Sequence, residues 1–221
     1  MGISANPRTE LTMPYLFRKP TLEDCFHLRN CLRGASLTYS QLGATRGNDG
    51  PSGYRWTRTR IRIGTGAADF ARAYEAIRRW KMFPAEIAAV WPESAPIVVG
   101  QEVIVRLRSL GVSALGPCRI VDVVDEQQTD TARFGFAYGT LPGHLASGEE
   151  RFLVEWTAHD DAVWYELTAF SRPAKWWTWL ALPLLRAAQR NFVVRSAAVM
   201  KNAVMQPAIE NHDAIPSADA A

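Results

Sequence analysis

Between Arg55 and Ala169 the chain returns again and again to a two-residue alternation of polar and apolar side chains. Period two is the signature of a strand with one buried face. Arg58, Arg60 and Arg62 fall opposite Thr57, Thr59, Ile61 and Ile63. Gln101 to Leu110 sets Val103, Val105 and Leu107 against Arg106 and Arg108. Pro117 to Asp125 is rich in Val and Ile, with ambiguous phase. Arg133 to Thr140 sets Phe134, Phe136 and Tyr138 against Gly135, Ala137 and Gly139. Glu150 to Thr157 and Val163 to Ala169 alternate likewise, joined by the turn His159-Asp160-Asp161. Such short connections predict antiparallel neighbours linked by hairpins.

Two segments break the alternation. Ala67 to Lys81 has Phe70, Ala73, Tyr74 and Ile77 at helical spacing, and Pro84 ends it or starts a second short helix up to Val90. From Pro173 a long amphipathic helix is predicted to about Val204, capped by Ser171 and kinked at Pro183. Its buried stripe is expected to carry Ala181, Leu185, Ala188, Phe192, Ser196, Val199 and Ala203. A single antiparallel sheet has an apolar face to cover, and the last helix is the element long enough to do so. The expected architecture is therefore α+β: a curled antiparallel sheet of six to seven strands packed on a long C-terminal helix. The small residues of the stripe either permit close packing or leave a hollow, and both readings stay open. Residues 1–37 read as a lead-in with a short helix over Glu23 to Leu32, residues 38–204 as the domain, and 205–221 as a disordered tail.

Composition excludes several classes. With 221 residues, 48% of them hydrophobic, the chain can build a core without metal or disulfide. Lys plus Arg is 25 and Asp plus Glu is 22, a net charge of +3, too slight an excess for a dedicated nucleic-acid binder. Three scattered cysteines argue against a secreted disulfide scaffold and for a cytoplasmic setting. The opening MGISANPRTE has no apolar run and predicts no secretory leader. The uncharged stretch Trp176 to Leu185 is half the length of about 20 residues needed to span a bilayer.

Several local motifs invite chemistry. Ile63-Gly64-Thr65-Gly66 sits between strand and helix, but Asp69 stands where a dinucleotide fingerprint wants glycine, so a tight turn is expected. The densest polar segment runs from Tyr138 through His144 to Arg151. A histidine near Glu149 and Glu150 has the groups for acid/base work, against the plainer reading of a hairpin loop. Arg195 lies at the margin of the helical stripe and either snorkels or pairs with an interior acid. The arginine strand faces read as solvated and paired with Glu155 or Glu166, against an anionic partner. Trp176, Trp177 and Trp179 read as core or cavity mouth, with a peripheral membrane contact as the alternative. Cys25, His27 and Cys31 lack a fourth ligand for zinc. No pattern calls for a cofactor or a metal.

The stretches YSQLGATR (39–46), PSGY (51–54), IGTGAADFARAYEAIRRW (63–80), FGFAYGTLPGH (134–144), GEERFLVEW (148–156) and VWYELTAFSRP (163–173) resemble the bacterial and plant family known as domain of unknown function 1990, or uncharacterised protein family 0548. The resemblance covers about residues 38–204. It implies a helix-grip fold of the START-like kind, and with it a cavity for an apolar small molecule between sheet and helix. Fold analogy names no activity. The residues expected to meet such a ligand are Phe134, Phe136, Tyr138, His144, Phe152, Trp156, Tyr165, Leu185, Phe192 and Arg195. The alternatives are an enzyme of the same fold using His144 with Glu149 or Glu150, and an interaction protein binding RNA or anionic membrane through its basic strand face.

Overall fold

The structure is a computed structural model that describes residues 20–109, 112–174 and 182–205. In chain order it holds α1 (Leu22–Cys31), a 3-10 turn (Ala44–Arg46), β1 (Arg55–Thr65), α2 (Gly66–Arg78), β2 (Ala88–Trp91), β3 (Glu102–Ser109), β4 (Val112–Gln127), β5 (Thr131–Thr140), β6 (Ala146–Thr157), β7 (Ala162–Pro173) and α3 (Leu182–Met205). All seven strands join one sheet in the order β1-β7-β6-β5-β4-β3-β2. Every neighbour is antiparallel. β1, at one edge of the sheet, pairs with β7, the last strand, and so joins the first and last strands. This is the curled sheet and C-terminal helix that the alternation predicts.

The inner face carries Phe134, Phe136, Phe152, Val154, Tyr165 and Leu167, all buried in one cluster. The last three turns of α3 lie directly on it: Ser196, Met200 and Val204 are buried, and the Tyr165 and Ser196 hydroxyls are 2.7 Å apart. α2 shares the work. Its Tyr74 ring meets Phe134 at 4.0 Å and Trp80, just beyond its end, meets Phe136 at 4.8 Å. Arg72 Nε donates to the Val204 carbonyl at 2.7 Å and so closes the end of α3. Covering the inner face thus takes two helices rather than one, because α3 is too narrow for seven strands.

Four local expectations are corrected. Residues 88–91 are a strand, β2, paired with β3, and not the end of a helix; Ala88 and Val90 are buried while Ala89 and Trp91 are half-buried, a period-two pattern too short to read alone. Ser171 and Pro173 belong to β7, not to a helix cap: Ser171 pairs with Arg55, and Pro173, which needs no ladder hydrogen bond at a strand end, faces Ala146. Pro183 falls in the first turn of α3, where a missing N–H breaks nothing, so no kink is needed. The buried stripe of α3 runs through Ser196, Ala197, Met200 and Val204, with Val199 only half-buried. The expected stripe was centred one residue away from the face that packs on the sheet. The side chain of Leu185, together with Trp176, Trp177, Trp179, Ala181 and the tail beyond Met205, lies outside the described residues.

The outer face is covered too. α1 sets Cys25, Leu28 and Leu32 on Ile104, Leu115 and Leu141. Thr21 caps it, accepting from the Asp24 N–H at 3.2 Å while Asp24 accepts from Thr21 N at 2.8 Å. Thr21→Ala is expected to lower stability by about 1 kcal/mol; a urea midpoint unchanged in the variant would show that α1 needs no cap.

Candidate functional site

Packing divides α3 into two halves. Its C-terminal half sits on the sheet. Its N-terminal half stands off, and a cavity of about 200 Å³ opens beneath it. Ala188, Phe192 and Val193 of α3 form the roof; Phe83 and Ile87 form one wall; Val105, Leu107, Leu167 and Ala169 are the apolar floor. Phe192 packs against Phe83 at 5.6 Å and Phe152 at 6.4 Å, which closes the cavity toward the core. At the rim Gln189 Nε2 donates to Ser171 Oγ at 3.2 Å, and the exposed Arg108 approaches from β3.

The polar groups of the cavity are few. Tyr138 and Glu150 stand directly opposite each other on β5 and β6. The Tyr138 hydroxyl donates to Glu150 Oε2. Apolar surroundings disfavour the carboxylate more than this hydrogen bond favours it, so burial pushes the Glu150 carboxyl up to about 7. Burial, with Glu150 close by, raises the Tyr138 phenol well above its usual range. Both groups therefore hold their protons unusually late.

Glu149 and Glu150 do different things because adjacent strand residues point to opposite faces. Glu149 is buried on the outer face, where the 39–46 segment wraps it. Its carboxylate accepts from Tyr39 Oη at 2.8 Å, Gly43 N at 2.9 Å, Thr45 N at 3.2 Å and the Thr45 hydroxyl. Gly43 adopts φ +77°, the left-handed conformation that lets its N–H turn inward. Arg46 closes the wrap with a two-pronged ion pair to Asp122. The YSQLGATR and GEERFLVEW stretches thus meet at one carboxylate. Sequence reasoning grouped Glu149 with Glu150; the period-two rule was the signal that separates them.

His144 borders the cavity from the β5–β6 connection. The Ala146 N–H donates to its Nδ1 at 3.0 Å. Its ring lies on Gly116, where an added Cβ would come within 2.6 Å of Nε2. Burial lowers its pKa to about 4, so the ring is neutral at pH 7. Its geometry anchors the loop.

The structure brings Tyr138, His144 and Phe192 of the expected ligand residues to this cavity. Phe136, Phe152 and Tyr165 are wholly buried in the core beside it. Phe134 packs on Tyr74, and Trp156 donates its indole N–H to Asp161 at 2.8 Å, both away from the cavity lining. Arg195 is half exposed, with Glu86 at 3.9 Å and Asn191 at 3.3 Å, so it takes the snorkelling course. Missing from the sequence reading were Phe83, Ile87, Leu167 and Ala169, which reach the cavity from elements distant in the chain. No periodicity within one segment reveals such a meeting.

Other candidate features resolve into structural roles. Arg58 and Arg60 pair with Glu166 and Glu155 across the outer face, and Arg133 joins Glu155 at 2.6 Å. Those paired arginines form a charge ladder. Gly66, at φ +80°, turns the chain from β1 into α2, and Asp69 accepts the Thr65 N–H at 2.7 Å. Cys25 is buried under α1 while Cys31 is exposed, 3.8 Å from His27 Nδ1. Among the described residues no helix is long and apolar enough to cross a membrane.

A curled antiparallel sheet gripping a long C-terminal helix, with a cavity held between them, makes this a helix-grip protein. Comparison with known sequences then places it: the chain belongs to the family described as "Domain of unknown function (DUF1990)", whose family model matches residues 38–199. It is 33% identical over 206 residues to a UPF0548 protein of Dictyostelium discoideum, covering 86% of this chain and 95% of that protein. A UPF0548 protein of Deinococcus radiodurans is 36% identical over 186 residues, 80% of this chain and 91% of the relative. The resemblance read from the sequence motifs is thereby borne out. Among solved structures, human STARD10 aligns over 87% of this chain and 82% of its own length, at a TM-score of 0.46 and 11% identity. A likeness that loose carries no functional argument.

Proposed function

We propose that the protein is a binding module for a small, largely apolar molecule held between the sheet and α3. The observation that supports this reading is the cavity of about 200 Å³ under Ala188 and Phe192. Its apolar lining, with Phe83, Val105, Leu167 and Phe192 facing the hollow, lacks packing partners on one side. A chain selected only for stability would fill it with larger side chains at positions such as Ala188. A ligand recovers the lost contacts, and the few polar groups within reach orient it.

Ala188→Trp tests the idea. Benzyl alcohol or indole, added to the purified full chain, is expected to shift the backbone resonances of Phe192 and Val193 saturably, with a Kd below about 1 mM. The Trp variant is expected to lose at least tenfold in affinity while keeping its fold. Native mass spectrometry that finds no bound small molecule, together with unsaturable shifts in the wild type, would sink the reading.

A second reading is an enzyme of the same fold. It is favoured by the Tyr138–Glu150 pair, because a carboxyl near pH 7 in an apolar cavity is suited to exchanging a proton with a bound substrate. In that reading the acid/base group is Glu150. Glu149 has its carboxylate committed on the other face, and His144 has Nδ1 committed to its own loop.

A further inference from the structure

The cavity contains an acid that lacks a counter-charge. Glu150 Oε2 accepts from Tyr138, and among the described residues nothing hydrogen-bonds Oε1 or stands as an ion-pair partner. The groups facing it are Tyr138 on β5, Cys118 on β4 and Tyr165 on β7, each kept protonated by burial. His144 is neutral, and Arg108 is out at the rim. A carboxylate in such a setting favours a ligand cation and opposes a ligand acid. An anionic ligand would bring a second negative charge into the same apolar space.

Size narrows the ligand further. A hollow of 150 Å³ takes benzene. One of about 200 Å³ takes a single ring and a short arm. Sterols and long acyl chains need the larger volumes of ordinary lipid or drug sites, several hundred Å³. The lining offers aromatic faces: Phe83 and Phe192 have ring centres 5.6 Å apart, and Tyr138 stacks at 6.4 Å from Phe83. Such edges and faces suit an aryl ring better than a flexible chain.

Resting on the reading of the cavity as a ligand site, we infer that the ligand is a small aryl-alkyl amine whose ammonium group pairs with Glu150. The exchange balances as follows. Where Glu150 is protonated, the incoming ammonium displaces its carboxyl proton to solvent and leaves a neutral ion pair. The ammonium keeps its own three protons and donates one of them to Oε1. No bond in the ligand is made or broken.

Isothermal calorimetry on the full chain tests this with phenethylamine, benzyl alcohol and phenylacetate at pH 7. Each titration is run in phosphate and in HEPES, so that the buffer heats count protons. Phenethylamine is expected to bind at least tenfold more tightly than benzyl alcohol, with phenylacetate failing to bind. The amine is expected to release about half a proton, since the Glu150 carboxyl sits at about 7, and the alcohol none. Glu150→Gln is expected to cost the amine at least tenfold and the alcohol far less. If that variant does not fold, the proton count on the wild type decides. An amine that binds no better than the alcohol, or releases no proton, overturns the inference while benzyl alcohol binding keeps the cavity reading. If none of the three probes binds, both fall.

Discussion

Replacing Glu149 by alanine is expected to destabilise the fold by about 3–5 kcal/mol, read from urea denaturation of variant and wild type. Four donors converge on this one carboxylate: Tyr39 Oη, Gly43 N, Thr45 N and the Thr45 hydroxyl. Tyr39 and Thr45 are buried and Gly43 is half-buried. Removing the acceptor strands all of them at once, and a buried donor left unmade costs about 1–3 kcal/mol. The donors also tie residues 39–46 to β6, so the variant is expected to open this segment to proteolysis first. Glu149→Gln is the milder change: it keeps one acceptor oxygen but turns an amide toward two donors. A loss below about 1 kcal/mol in Glu149→Ala would show that water replaces the carboxylate cheaply and that the wrap is loose.

The second large effect concerns pH. Glu150 has its folded pKa raised to about 7 from 4.5. Over that interval the unfolded chain gives up a proton that the folded chain keeps, so this group lowers stability as pH rises, by about 3 kcal/mol in all. His144 has its folded pKa lowered to about 4 from 6.5. Over that interval the unfolded chain binds a proton that the folded chain does not, so this group raises stability as pH rises, again by about 3 kcal/mol. The windows overlap and the slopes oppose. The contribution of this pair is therefore expected to be flat between about pH 4.5 and 6.5. Each substitution uncovers the other group. Relative to the wild-type profile, Glu150→Gln is expected to gain about 3 kcal/mol from pH 4.5 to 7, and His144→Gln to lose about 3 kcal/mol from pH 4 to 6.5. Urea melts at half-unit pH steps measure both. Two variant profiles parallel to wild type would mean that neither group is held from water as the structure places it.

Much of the scaffold was legible because side-chain alternation is a local property. Phe134-x-Phe136-x-Tyr138 and Phe152-x-Val154 declare a strand face without reference to anything else in the chain. The same rule, applied to one more pair, separates Glu149 from Glu150. Local pattern fails where partners are remote or segments short. Residues 88–91 are four residues long and take strand form only because β3 offers an edge. Ser171 has the chemistry of a helix cap, yet the ladder to β1 continues through it. Which face of α3 is buried is settled by its packing on the sheet and α2, which no period within the helix states.

The amino-acid order by itself determined that there would be one antiparallel sheet, a long helix to grip, and a family to which both belong. It also supplied Ala188, a small residue on the gripping helix. Whether that small residue would mean contact or a hollow was decided only in three dimensions. Ser196, Met200 and Val204 descend onto the sheet while Ala188 and Phe192 span a gap held open by Phe83 and Ile87. The reason is geometric: a straight helix cannot follow a curled sheet along its whole length, so it touches at one end and leaves space at the other. That space is where Tyr138 and Glu150 meet.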